Sequence, residues 1–124
     1  MNVLVDSDVL IEVSRARDVA LLEKWSQLSG SHHTILYSPV TSAELWWGVR
    51  QHEQPALIAL FRGMKCVPAD ETTGRFAGDF LRRYAGSHGM KIGDALIAAA
   101  AAQHRAALWT RNRKHFPMLE IDFF

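Results

Sequence analysis

The chain opens on a short apolar, β-branched run, Asn2-Val3-Leu4-Val5, that stops at Asp6-Ser7-Asp8. A run of this kind without alternation suits a strand buried on both faces, and the oxygens that follow it are those that cap a helix. The pattern predicts a strand to Val5 and a helix over Val9 to Ser14. Asp18 can cap a second helix to Leu28, because Val19, Leu22, Trp25 and Leu28 recur along one face until Ser29-Gly30-Ser31 breaks the pattern. Thr34 to Ser38 reads as the next strand. Pro39, which lacks an N–H, suits the turn into a helix from about Thr41 to Arg50, and Pro55 opens another to about Met64. After an extended piece at Cys66-Val67-Pro68, Asp70 or Thr72 starts a helix reaching about Tyr84, closed by Gly86-Ser87-His88-Gly89. Ile92 to Arg105 contains the unbroken alanines Ala98 to Ala102, whose helix propensity is high and whose small side chains allow close packing on a sheet. Ala106 to Thr110 is then a strand, and Leu119 to Phe124 a last one.

Strands that alternate with helices call for crossover connections, so the expectation is a single α/β domain over residues 1–124. Its sheet should be mostly parallel, of about five strands, and flanked by helices. Ligands of such sheets bind at the carboxyl ends of the strands. Asp6 ends the first strand, Glu44 follows the second, Asn112 follows the Ala106 strand and Asp94 opens the helix leading into it. Four polar side chains distant in sequence are thereby predicted at one edge.

Composition narrows the class. A chain of 124 residues, 48% hydrophobic and 22% charged, is that of one globular domain with a substantial core. No stretch approaches the roughly 20 unbroken apolar residues of a membrane span, and Met1-Asn2-Val3 lacks the basic start of a signal peptide, so a cytoplasmic protein without membrane contact is expected. The lone Cys66 cannot form an internal disulfide or, with no second thiol, a zinc site, and reads as core packing. Net charge is +1, too small for a general nucleic-acid coat, but it is unevenly spread. Met1 to Arg62 holds five Lys/Arg against seven Asp/Glu, and Gly63 to Phe124 nine against six. Arg105, Arg111, Arg113 and Lys114 crowd the end of the chain, either as a solvated surface or as a phosphate-contacting patch.

Carboxylates held together repel, and one takes up a proton unless a cation neutralises the group. Nothing in the sequence offers a buried Lys or Arg for that purpose. Hard oxygen ligands of this kind suit Mg2+, or Mn2+, beside a phosphate substrate, which points to phosphodiester hydrolysis. Each acid also has a plainer reading: Asp6 and Asp8 as turn and N-cap residues, Glu44 as a solvated glutamate, Asp94 as a helix-start acid favoured by the dipole. Their convergence on one edge favours a site.

The same residues resemble a known family. Val3-Leu4-Val5-Asp6-Ser7-Asp8-Val9-Leu10-Ile11-Glu12 is similar to the opening of PIN-domain proteins, and Ser42-Ala43-Glu44-Leu45 to their second acidic motif. Asp94-Ala95-Leu96-Ile97-Ala98-Ala99 and Leu108-Trp109-Thr110-Arg111-Asn112 resemble the third and fourth. The likeness runs in order from Met1 to about Met118 and is closest to the VapC toxins of toxin–antitoxin pairs. It implies a PIN domain and a Mg2+-dependent endoribonuclease, held inactive by a VapB-type antitoxin and working as a homodimer, with operator DNA reached only through the antitoxin. Asp6, Glu44 and Asp94 carry over as metal-site acids, and Ser7 and Thr110 as hydroxyls supporting them. The chain departs from the family at Asn112, where many PIN nucleases have aspartate. An amide can ligate through oxygen or hold a water but adds no charge. The toxin branch often shows asparagine here, followed by a sequence like Lys114-His115-Phe116.

Arg111, Arg113, Lys114 and His115 are the candidates for RNA contact. Only His115, of the six histidines, lies near the expected site. Trp46 and Trp47 are placed on the side of their helix away from Glu44, as core or partner-interface residues. Dehalogenase-like and receiver-like phosphoryl transfer are disfavoured by Val9-Leu10 after the first Asp-x-Asp and by the lack of a suitably placed lysine. The other class that stays open is a catalytically weak PIN fold serving as a corepressor with its antitoxin on operator DNA.

Overall fold

The computed structural model describes residues 1–124. Four parallel strands form one sheet in the order β3-β2-β1-β4, with β1 at Asn2–Val5, β2 at Thr34–Tyr37, β3 at Lys65–Cys66 and β4 at Ala107–Trp109. Six helices surround it: α1 (Ser7–Arg15), α2 (Val19–Ser29), α3 (Pro39–Gly48), α4 (Gln54–Arg62), α5 (Glu71–His88) and α6 (Ile92–Gln103). Single 3-10 turns lie at Gln51–Glu53 and Arg113–His115.

The unalternated run at the start of the chain is explained by its position. β1 is a central strand, and Val3, Leu4 and Val5 are each fully buried, as a parallel strand covered on both faces must be. Register then assigns the faces. Leu4 lies beside Leu36 and Leu108 and packs with them against α5 and α6. Val3 and Val5, beside Ile35 and Trp109, pack with α1, α2 and α4. The chain moves from β1 outward through β2 to β3 with its helices on one face, then crosses back to β4 with α5 and α6 on the other. Right-handed crossovers that reverse direction must change face in this way. The reversal falls between β1 and β4, and the carboxyl ends of that pair form the crevice where sheets of this kind bind ligands.

Helix α6 is buried nearly all round, with Ala95 and Ala98 to Ala101 at 0–1% exposure. Alanine lets it lie close under the sheet while α5 covers its outer side. Its end is pinned to the start of α5, where Gln103 donates to Asp70 and accepts from Thr73. Because α6 runs down into β4, its first turn, with Asp94, lies at the carboxyl edge of the sheet.

Several expectations are corrected. Leu119 to Phe124 is not a full strand: a single bridge joins Phe123 to Leu108, flanked by the bonds from Leu108 N–H to Asp122 and from Phe124 N–H to Leu108. The sheet therefore has four strands rather than about five. Cys66 is exposed rather than core, since its two-residue strand is the sheet edge and only Val67 beyond it reaches the core. Helix α5 runs past Tyr84 through Gly86 and stops at Gly89, whose φ of 62° is the left-handed conformation that glycine adopts without strain.

Candidate active site

Asp6 is the first residue beyond β1 and is 7% exposed. It serves as the N-cap of α1 and as the centre of the site at once. One carboxylate oxygen accepts the Ser7 N–H at 2.8 Å, and the other accepts the Thr110 hydroxyl at 2.9 Å. Its own N–H donates to Trp109 across the β1–β4 seam at 2.9 Å. The plain N-cap reading of Asp6 is therefore correct as far as it goes. What it omits is that the cap sits at the switch between two strands.

Glu44 reaches the same place from the second turn of α3, which starts at the end of β2 with Ser38 as its cap. The Ser7 hydroxyl donates to Glu44 Oε1 at 3.3 Å. Ser7 thus serves both acids, its N–H holding Asp6 and its hydroxyl Glu44. Asp94 lies in the first turn of α6, half-buried, with His115 Nδ1 at 3.7 Å from its Oδ2.

The electrostatics tie the acids together. Burial, then the charge of Asp8, and less strongly that of Glu44, push the Asp6 carboxyl from 3.8 up to about 6, against the pull of the Thr110 and Ser7 hydrogen bonds. Glu44 is likewise raised, first by burial and further by Asp94 and Asp8, with the Ser7 bond opposing. No Lys or Arg forms an ion pair with Asp6, Glu44 or Asp94. The cluster is short of positive charge.

Asp8 is the residue that sequence reasoning missed, having been read only as a turn or cap acid. Its Oδ2 accepts the Arg111 N–H at 3.1 Å and the Asn112 side-chain amide at 3.2 Å, with the Thr110 hydroxyl at 3.4 Å. Thr110 has one proton to give, and the shorter distance assigns it to Asp6. Asp8 Oδ1 is buried with no partner at all, and burial raises the pKa of this acid as well, despite those N–H bonds. The signal was present in Asp6-Ser7-Asp8: residues 6 and 8 straddle the start of α1, so both face the crevice. Asn112 is equally explained, because its amide steadies Asp8 where an aspartate would add a like charge.

These residues fit a hard divalent cation. The donors are all oxygens, Asp6, Glu44 and Asp94 have no Lys or Arg paired with them and Asp8 only the nearby charge of Arg111, and a buried carboxylate oxygen stands unpartnered. No three of the side chains close on one point as an all-protein cage. Mg2+, which keeps several waters and uses one or two carboxylates beside a phosphate, does not need such a cage.

The basic candidates divide. Arg111 lies 3.6 Å from Glu12, which also holds Arg17 at 2.7 Å. The Arg113 guanidinium covers the Phe123 ring and donates to the Phe124 backbone oxygen at 3.4 Å. Lys114 is exposed and forms no ion pair. The placing of the tryptophans is corrected. Trp46 packs on Phe61, but Trp47 lies three residues beyond Glu44, one turn along the same flank of α3, and is 91% exposed.

Residues 3–120 match the PIN domain family. The chain is 40% identical over 119 residues to Ribonuclease VapC10 of Mycobacterium tuberculosis, covering 95% of this chain and 88% of that one. It is 34% identical over 116 residues to Ribonuclease VapC19 of the same species, covering 93% and 92%. Among solved structures, a chain of the VapBC2 complex of Rickettsia felis, bound to a promoter DNA fragment, superposes with a TM-score of 0.84 at 20% identity, over 100% of this chain and 98% of that one. With the sheet order, the acidic edge and the matches in agreement, the chain belongs to the PIN-domain family.

Proposed function

We propose that this protein is the endoribonuclease toxin of a type II toxin–antitoxin pair, hydrolysing RNA phosphodiester bonds at the edge formed by Asp6, Asp8, Glu44 and Asp94. One observation carries the reading: four acids from three separate parts of the chain meet at the β1–β4 switch point, electrostatically coupled and without a paired Lys or Arg. The names of the VapC ribonucleases to which the chain is similar support the same chemistry.

Asp6, Glu44 and Asp94 would hold Mg2+ or Mn2+, which when bound supplies positive charge for the in-line attack of water on a phosphodiester. The chain's own contribution is alignment. Ser7 fixes Asp6 and Glu44 relative to one another, Thr110 orients Asp6, and Asn112 holds Asp8 back from rotating. Asp94 is presented from the first turn of α6.

The VapBC complexes among the structural neighbours support an antitoxin partner, and the homodimer and cytoplasmic setting are part of the same proposal. A VapB-type antitoxin would block the site, the toxin would act as a homodimer in the cytoplasm, and operator DNA would be met through the antitoxin, since the Rickettsia felis complex is one bound to promoter DNA. The competing reading, a corepressor with little catalysis, is favoured only by the neutral Asn112. Cleavage of RNA by the purified protein separates the two. The nuclease reading requires cleavage with Mg2+ or Mn2+ that stops on chelation, and its absence with either ion would leave the corepressor.

A further inference from the structure

Between the end of α1 and the α3–α4 connection lies an open groove of about 510 Å³, lined by Arg15, Arg17, Arg50 and His52 together with Glu53. The first half of the chain is acidic, yet three of its five Lys/Arg meet here. The groove shares Ser14, Arg15 and Glu53 with a smaller cavity of about 80 Å³ whose far wall is Glu44 itself. It is thus continuous with the acidic site.

The charges are available. Arg15 and Arg50 are exposed and take part in no ion pair, and Glu53 gives its carboxylate to the Arg50 backbone N–H, not to the guanidinium. Arg17 and Arg111 share Glu12, two guanidinium groups on one carboxylate, which leaves net positive charge between the β4 end and this groove. Trp47, 91% exposed, stands on α3 between Glu44 and Gly48, both of which line the smaller cavity, though Trp47 itself lines neither opening. Nothing in the fold requires so exposed an indole there; Trp46 next to it, 41% exposed, at least stacks on Phe61.

We propose that this groove, with Arg15, Arg50 and Trp47, is the path by which single-stranded RNA leaves the cleavage site; the assignment rests on the ribonuclease reading. Cations spaced along a groove beside an exposed aromatic face are the combination that binds single strands, phosphates on the guanidinium groups and a base on the ring. A phosphodiester placed among carboxylates is repelled by them, and its neighbouring phosphates need positive charge close by to keep the strand in place. An acidic peptide would use the arginines but has no planar base for Trp47.

The test is binding of a short labelled oligouridylate in EDTA, where no cleavage intervenes, across a series of salt concentrations. Each phosphate contact on a single strand contributes about 0.7 to the slope of log affinity against log salt. Arg15→Ala with Arg50→Ala should flatten the slope by about 1.4, and Arg15→Lys with Arg50→Lys should restore it if the loss is one of charge and not of fold. Trp47→Ala should weaken binding about tenfold with the slope intact, and base binding should quench its fluorescence in the parent. An unchanged slope in the double alanine variant overturns the proposal, and if that variant instead loses a glutamate-rich peptide, the groove belongs to a protein partner. The two readings fail separately. Wild-type protein that binds RNA through these residues but does not cut it contradicts the nuclease, while metal-dependent cleavage with an unaltered slope contradicts only the path.

Discussion

Replacing Asp6 by asparagine should abolish cleavage and at the same time stabilise the metal-free protein. The buried Asp6 carboxyl is held at about 6 where 3.8 is ordinary. At about 1.36 kcal/mol per tenfold change in proton affinity, ionised Asp6 costs the folded, metal-free state about 3 kcal/mol at neutral pH. The sign is fixed by the direction of the shift. Below 3.8 the acid is protonated in folded and unfolded chains alike and costs nothing; the penalty grows as pH rises to about 6 and is constant above it. Asparagine fits the same bonds. Its carbonyl can accept the Ser7 N–H, and its amide can donate to Thr110 Oγ1, whose proton is then free for Asp8. For a domain of this size roughly 4 °C accompanies each kcal/mol, so Asp6→Asn should melt about 12 °C above the parent in EDTA at pH 7.5, with the difference shrinking towards zero at pH 4. Saturating Mg2+ should reduce the gap, because only the parent gains the ligand. Equal melting temperatures in EDTA, or a difference indifferent to pH, would refute the electrostatic reasoning.

Asn112→Asp should lower the melting temperature in EDTA by an amount equivalent to about 1–3 kcal/mol, since it exchanges a donor to Asp8 for a like charge; titration calorimetry should show tighter Mg2+ binding in the same variant. Lys114→Ala should flatten the salt dependence of RNA binding by about 0.7, and Arg111→Ala by less, because Glu12 already offsets the Arg111 charge. An antitoxin peptide that places an arginine among the acids should compete with the metal, so its inhibition constant should rise with Mg2+; inhibition indifferent to Mg2+ would exclude the inserted cation.

Much of this was legible before the structure because parallel sheets tie sequence to position. Three buried residues, Val3 to Val5, followed by an acid suffice to place Asp6 at a strand end, and five alanines place α6, and so Asp94, against the sheet. Asp8 was legible only as a neighbour of Asp6 at the start of α1; its bonds were not, because they come from the backbone after β4, more than a hundred residues away, arriving to donate to it. Residues 119–124 misled for a related reason: their apolar pattern is real, but Ile121 and Phe123 pack against the core while a single bridge carries the pairing. The exposure of Trp47 could have been read from the helix, since a residue three beyond Glu44 shares its flank.

The most direct measurement is the single-turnover cleavage of RNA by the parent and by Asp94→Asn, at saturating Mg2+ and with both proteins shown to be folded. Asp94 is the acid least entangled with the β1–β4 seam, as it stands in the first turn of α6 and its one ion-pair neighbour is His115 at 3.7 Å. Metal-dependent cleavage by the parent, reduced by at least a hundredfold in the variant, is the result that the account predicts. Equal rates in the two proteins would contradict it.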